Sequence, residues 1–171
     1  MRRSAAIALS LAAALAVSAC TSTEQTLDPN AISPSGQAAP DSAALAAAAA
    51  ASRVEIAPIV GASVEAAAPL TERIAVRARE RGLRLAGSGD GPSTHVLKGY
   101  FSAISEGRET IVIYVWDVLD PAGNRLHRIQ GQEKAPARGA EGWASVTPAV
   151  MQRIGDQTVD QLLVWLAAKP G

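Results

Sequence analysis

Short runs of alternating apolar and polar residues predict strands in the second two-thirds of the chain. Residues 53–62 hold the first run, and residues 83–87 form a short second one. Residues 94–104 and 110–119 are two longer runs joined by the polar sequence SEGRE, and the turn sequence DPAGN leads into a last strand. The pattern therefore predicts about five strands, with hairpins joining the last three.

Two other segments show the apolar spacing of a helix instead. Each has one apolar stripe: Leu70, Ile74 and Ala78 in the first, and Met151, Ile154, Thr158, Leu162 and Trp165 or Leu166 in the second. Pro69 suits the first position of the first helix, and Gly82 suits its left-handed cap. Thr147 suits the cap of the second helix, with Pro148 at its first position.

The turn sequence SEGRE sets the predicted register of the long hairpin. With Glu106, Gly107 and Arg108 in the turn, Ser105 lies opposite Glu109. The predicted core face is then Leu97, Phe101, Ala103, Ile111, Ile113, Val115 and Leu119. The opposite face is Val96, Lys98, Tyr100, Ser102, Val112, Tyr114, Trp116 and Val118. A shift of one residue would mix the two sets, which favours this register.

The turn DPAGN sets the next pairing. With Asp120 opposite Asn124, the partners are Val115 with Ile129, Asp117 with His127, and Trp116 with Arg128. The element order is β-α-β-β-β-β-α. It predicts an α+β domain over residues 53–169, with a mixed, mostly antiparallel sheet of about five strands and two helices on one face.

The amino-terminal residues 1–19 have the features of a signal peptide. Arg2 and Arg3 precede an apolar run from Ala5 to Val17, which is too short for a stable membrane anchor. The run Val-Ser-Ala-Cys that ends at Cys20 resembles the lipobox of bacterial lipoproteins. That resemblance implies cleavage before Cys20, acylation of its thiol and amino group, and a permanent membrane anchor. The alternative is a secreted protein with a stray cysteine.

Threonine follows the cysteine where aspartate resembles an inner-membrane retention signal, so the outer membrane, periplasmic side, is the expected location. Residues 20–52 are rich in Ala, Ser and Pro and offer little to bury, which predicts a disordered tether. The chain has 16 basic and 16 acidic residues, and loss of Arg2 and Arg3 leaves 14 basic. Outside 69–81 neither sign clusters, so no nucleic acid is expected as a partner.

The order of elements resembles a group of envelope domains. The strands LKGYF and VWDVLDPAGNRL and the closing helix look like the amino-terminal domain of the Tol-system translocation protein, over residues 53–168. The domain is similar also to lipoprotein activators of penicillin-binding proteins and to the curli-secretion lipoprotein. A second resemblance is to the lipopolysaccharide-assembly lipoprotein. The first resemblance implies a non-catalytic adaptor that binds another envelope protein.

The sequence offers one candidate for catalysis. Asp117 and His127 are predicted to pair across two strands, with His95 on the same face and Ser102 nearby in sequence. These residues define an alternative function, a small periplasmic hydrolase or metal-binding enzyme. Ser102 is predicted on the other face, and a structural Asp–His hydrogen bond is the simpler interpretation. The chain is therefore expected not to be an enzyme, and no cofactor or metal is expected.

The predicted outer face of the sheet is the stronger candidate site. Tyr, Trp and Arg are enriched where proteins bind each other. The predicted partner face consists of Tyr100, Tyr114 and Trp116 with Lys98 and Arg128 around them. An unidentified envelope protein is the expected partner, and self-association of the chain is the other possibility.

Overall fold

The computed structural model describes residues 40–87, 91–136 and 141–168. Its elements in chain order are α1 (Ser42–Ala51), β1 (Arg53–Ile56), α2 (Val64–Glu80), β2 (Arg84–Leu85), β3 (His95–Glu106), β4 (Glu109–Leu119), β5 (Arg125–Pro136), a 3₁₀ turn (Gly142–Ser145) and α3 (Pro148–Ala168). Among these residues, no helix has the length and apolar character needed to cross a membrane.

The predicted α+β fold class is confirmed. One five-stranded mixed sheet has the strand order β2-β1-β3-β4-β5. β1 runs parallel to β2 and β3, and β3, β4 and β5 are antiparallel neighbours. The helices α2 and α3 pack against each other and cover one face of the sheet.

Both predicted helices form, and their ends explain why. α2 begins five residues before Pro69, because Ser63 caps it by accepting a hydrogen bond from the backbone N–H of Ala66 at 3.2 Å. Pro69 therefore lies inside the helix rather than at its first position. Gly82 follows α2 with φ +72°, the left-handed conformation predicted for it. α3 begins at Pro148, as predicted.

The predicted register of the β3–β4 hairpin is wrong by one residue. Glu106, not Ser105, lies opposite Glu109, so the turn is only Gly107 and Arg108, with Gly107 at φ +59°. A shift of one residue reverses the direction of every side chain on one strand. β3 points as predicted, with Leu97 and Phe101 in the core. β4 is reversed, and its buried apolar residues are Val112, Tyr114, Trp116 and Val118.

Two glycines explain the register that forms. Gly99 pairs with Trp116, and a Cβ on Gly99 would lie 2.5 Å from the indole ring. Gly131 pairs with Tyr114, and a Cβ on Gly131 would lie 2.4 Å from the tyrosine oxygen. Each large ring of β4 thus lies over a neighbouring strand position that has no side chain. The predicted register did not take into account that these rings fit only beside glycines.

The β4–β5 pairing also differs from the prediction by one residue, although the turn is as expected. Asp120 and Asn124 are hydrogen-bonded across it, with N···O 2.9 Å. A bulge then separates the pairs Leu119–Arg125 and Val118–His127, so β5 carries one extra residue. As a result Asp117 lies opposite Arg128 rather than His127. The two one-residue errors cancel, and β5 faces the way that was predicted.

The predicted disordered tether ends earlier than residue 52. Asp41 caps α1 by accepting a hydrogen bond from the N–H of Ala44 at 2.7 Å. Ala49 is 1% exposed against the core, with Leu45 and Ala48 packed beside it. Small side chains allow close approach, so an alanine-rich helix with little to bury individually still docks. The rest of the predicted tether and Cys20 lie outside the described residues.

Gly99→Ala should test the volume match. The added methyl group collides with the Trp116 ring, and overpacking of this kind costs about 1–3 kcal/mol of unfolding free energy. Gly91→Ala is the matched control, because its Cβ would meet only the mobile end of the Arg53 side chain, with an expected change within about 0.5 kcal/mol. Chemical denaturation measures both. Equal stability of the two variants would contradict the packing described here.

Candidate functional site

The sheet surface opposite the helices is the candidate site. It is called here the open sheet face. It consists of Glu55, Val96, Lys98, Tyr100, Ser102, Ile104, Glu106, Glu109, Ile111, Ile113, Val115, Asp117, Leu119, Arg128, Gln130, Gln132 and Lys134. Tyr100, Ile104 and Ile113 are 38%, 48% and 40% exposed. The described part of the chain therefore leaves this face uncovered.

Three of the five predicted partner-face residues lie on the open sheet face, and two do not. Tyr100, Lys98 and Arg128 are there, and the Lys98 ammonium lies 5.6 Å from the Tyr100 ring centre. Tyr114 and Trp116 are 2% and 0% exposed in the core, which corrects the prediction. The one-residue register error moved them to the wrong face.

Tyr114 and Trp116 both make contacts inside the core. Phe101 lies between them, with ring centres 5.9 Å from Tyr114 and 5.3 Å from Trp116. The Tyr114 hydroxyl donates to Gln157 Oε1 of α3 at 2.8 Å. Burial raises the pKa of Tyr114, and the nearby Glu133 carboxylate acts in the same direction. Both rings therefore stabilise the contact between sheet and helices instead of meeting a partner.

One end of the open sheet face carries excess positive charge. Arg128 donates two hydrogen bonds to the Asp117 carboxylate, at 2.7 and 3.0 Å, and Arg125 lies 3.9 Å away. Lys98 is the cross-strand neighbour of Asp117 on β3. Arg128 holds the pKa of Asp117 below its usual value, against the effect of burial, and Arg125 and Lys98 add to this. The Asp117 carboxylate thus lies near three cationic side chains, those of Lys98, Arg125 and Arg128.

The predicted Asp117–His127 pair does not form, because the two side chains point to opposite faces of the sheet. Asp117 binds Arg128 on the open sheet face. His127 lies on the helix side, stacked on Trp165 of α3 with ring centres 5.0 Å apart and planes 6° apart. Ser102 is on the open sheet face, away from His127. The predicted residues therefore do not assemble a nucleophile, base and acid.

His95 and His127 share a face as predicted, but they meet at Trp165. The ring centres of His95 and Trp165 lie 5.7 Å apart with nearly perpendicular planes, and Thr94 Oγ1 lies 2.9 Å from His95 Nδ1. This cluster closes the contact between the sheet and the end of α3. Within residues 40–87, 91–136 and 141–168, no group of three or more His, Cys, Asp or Glu side chains is arranged to hold a metal ion.

The arginines at and just after the end of α2 form a second charged region. Arg73 Nε lies 2.6 Å from Asp156 of α3, and Arg77 Nη2 lies 2.7 Å from Asp160. Arg81 also contacts Asp160, at 2.8 Å. These partly exposed ion pairs connect α2 to α3, so the basic cluster of α2 is largely neutralised within the domain.

Comparison with known proteins gives no family. No family model matches the chain, and no curated protein matches it. Among solved structures, the chain is similar to a variant of PelC from Paraburkholderia phytofirmans, described as a dodecamer, with 14% sequence identity and a TM-score of 0.40. The match covers 70% of this chain and 88% of that one. The resemblances drawn from the sequence stay predictions.

His127 should make the stability of the domain depend on pH. Burial lowers its pKa below 6.5, so the unfolded chain takes up a proton that the folded chain resists. The free energy of unfolding should therefore fall as the pH drops through 6.5 toward the folded-state pKa. Thermal unfolding between pH 8 and 5 measures this. His127→Gln should flatten the profile, and an unchanged profile in this variant would contradict the assignment.

Proposed function

We propose that this chain is a lipoprotein anchored through Cys20 on the periplasmic side of the bacterial outer membrane. Its α+β domain is a non-catalytic adaptor or accessory protein of the cell envelope, and it binds another protein through the open sheet face. The observation that carries the proposal is the exposed apolar surface of β3 and β4, on the side of the sheet that the helices leave bare.

The composition of the open sheet face supports binding. A water-facing side of an antiparallel sheet ordinarily carries polar residues. Here Tyr100, Ile104 and Ile113 are exposed together, with Ile111 and Val115 half-buried between them. Contiguous exposed apolar surface marks sites of protein interaction. Tyr100 and Arg128 are of the residue types that contribute most to binding energy.

The charges at one end of the face support selectivity. Lys98, Arg125 and Arg128 outnumber the single carboxylate of Asp117 that they surround. Such an excess favours a partner with acidic residues at the matching place and speeds its approach. Asp117 also keeps the Arg128 guanidinium in a fixed orientation, because both of its hydrogen bonds go to one carboxylate.

The anchor rests on the sequence, since Cys20 lies outside the described residues. The positive start, the short apolar run and Val-Ser-Ala before the cysteine support it. The structure shortens the stretch of chain between the anchor and the first helix, because that helix is capped by Asp41 rather than starting after residue 52. The 22 residues from Cys20 to Asp41 can span at most about 75 Å. A tether extending to residue 52 would have spanned over 100 Å.

Cys20→Ser should release the protein from the membrane. Without the thiol no acyl chains can be attached, so the variant should move from the membrane fraction to the soluble fraction. Thr21→Ser is the control and should stay in the membrane. Intact-mass spectrometry of the wild-type chain should show an acylated residue 20 as the new amino terminus. A free thiol there, or a different mature terminus, would contradict the anchor.

Replacing Tyr100 and Ile113 together, as Tyr100→Ser with Ile113→Thr, should abolish binding and leave the fold intact. Both side chains are surface groups, so unfolding free energy should change by less than about 1 kcal/mol. Phe101→Ala empties a core site and should cost about 3–5 kcal/mol. Binding is read in intact cells from a photo-crosslinking residue at position 104, with the same residue at exposed Val164 of α3 as the control. Protein adducts at position 164 but not at position 104 would contradict binding through the open sheet face.

A further inference from the structure

A cavity beside the edge strand β2 is lined by three arginines. Its volume is about 580 Å³, and its walls are formed by Arg53, Ala75, Arg79, Leu83, Arg84 and Leu85. Arg53 lies on β1, Arg84 on β2, and Arg79 in the last turn of α2. Within the part of the chain that the structure describes, no carboxylate lines this cavity. It is called here the arginine cavity.

The arginines of this cavity differ from most other arginines of the domain in their partners. Six others each contact a carboxylate: Arg73, Arg77, Arg81, Arg125, Arg128 and Arg153. Among the described residues, no ion pair forms at Arg53, Arg79 or Arg84. Arg84 donates to the carbonyl oxygen of Ala50 in α1, and Arg53 Nη1 lies 3.5 Å from that of Pro92. Backbone carbonyls are neutral, so these contacts orient the guanidinium groups without balancing their charge.

Two of these charges are also placed next to each other by the sheet. Arg53 and Arg84 are direct neighbours across the parallel strands β1 and β2. Like charges in such positions destabilise a sheet. An anion bound between the two side chains would replace this repulsion with attraction, and Arg79 would add a third donor to it.

Two helix ends reduce the positive charge of the cavity but do not remove it. The carboxyl end of α2 is beside the cavity at Arg79, and that of α1 is beside it where Arg84 contacts Ala50. A helix end carries about half a negative charge, so three guanidinium groups leave an excess of about two positive charges.

The acidic residues that are close in sequence are engaged elsewhere. Glu80 follows Arg79, but its carboxylate contacts Arg73 and Arg77. Glu55 lies on the open sheet face and accepts a hydrogen bond from Ser93 Oγ at 3.3 Å. Neither carboxylate is part of the cavity wall.

We propose that the arginine cavity binds a phosphate group. Guanidinium groups donate paired hydrogen bonds that match the oxygens of phosphate and of carboxylate. A phosphate monoester carries about 1.5 to 2 negative charges near pH 7, which matches the excess in the cavity, whereas one carboxylate carries half of that. This site is separate from the open sheet face, so it adds a second ligand to the proposed function.

The cavity has room for the group that carries the phosphate. Pockets for small molecules have volumes of about 300–1,000 Å³, and this one lies within that range. Ala75, Leu83 and Leu85 give it an apolar wall beside the arginines. Two sources have this shared chemistry, a lipid head group of the membrane and a soluble phosphorylated molecule.

Two probes test the proposal on the full chain and distinguish the sources. Calorimetric titration with inorganic phosphate measures binding of a soluble ligand. Flotation of the Cys20→Ser chain with phosphatidylcholine vesicles, with and without phosphatidic acid, measures binding of a lipid phosphate. Binding of inorganic phosphate without a preference for phosphatidic acid assigns a soluble ligand, and flotation that requires phosphatidic acid assigns a lipid. Binding of neither probe would overturn the proposal.

Arg79→Gln is the first variant, with Arg108→Gln as its matched control. The Arg79 side chain is exposed and forms no hydrogen bond or ion pair among the described residues, so its loss should leave the fold intact. Affinity for the probe that binds should fall about tenfold or more, the loss expected when a charged hydrogen-bonding group is removed. Arg108→Gln removes the same charge from an exposed turn outside the cavity and should bind as the wild type does. Equal affinities of the two variants would overturn the proposal.

Thermal unfolding separates a binding role of the arginines from a structural one. A ligand that binds only the folded chain raises its Tm. The bound probe, inorganic phosphate or phosphatidic acid, should therefore raise the Tm of the wild type and of Arg108→Gln, and raise it much less in Arg79→Gln and Arg53→Gln. Without the probe, Arg79→Gln should unfold at the same temperature as the wild type. An equal rise with the probe in all four chains would overturn the proposal.

Discussion

The packing of Trp116 and Tyr114 over Gly99 and Gly131 determines the direction of β4, and the rest of the structure depends on it. Neither glycine could carry a methyl group without a collision with the ring beside it. The two rings must therefore lie on the helix side, where Phe101 contacts both. Once they do, the alternate residues of β4 have to face outward.

That outward set makes the candidate site. Ile113 and Val115 become surface residues beside Tyr100, and Asp117 comes opposite Arg128 instead of His127. The reversed direction of β4 thus separates Asp117 from His127, the pair that suggested catalysis. It also brings Asp117 to Arg128 at the charged end of the open sheet face. The described residues form two layers, with the helices on one side of the sheet. These described residues leave the second face of the sheet uncovered, and that face is apolar at its centre.

The helix layer is held by close backbone approach and by ion pairs. A Cβ on Gly155 of α3 would lie 3.2 Å from the carbonyl oxygen of Leu70, so this glycine lets α3 approach α2. Arg73 and Arg77 then meet Asp156 and Asp160 at the edge of the same contact. α1 adds small alanine side chains to this layer. The described fold therefore includes residues before position 53, where the sequence predicted the domain to begin.

The sequence by itself determined the elements whose signals are local. Gly82 ends α2 and Pro148 begins α3, because caps depend on a few neighbouring residues. β3 alternates clearly between Phe101 inside and Lys98 outside, so its faces were predicted correctly. β4 has large apolar residues on both faces, which leaves no alternation to interpret. Only the tertiary structure decided its direction, because the choice rests on the volume that glycines of β3 and β5, distant in the chain, leave for its aromatic rings.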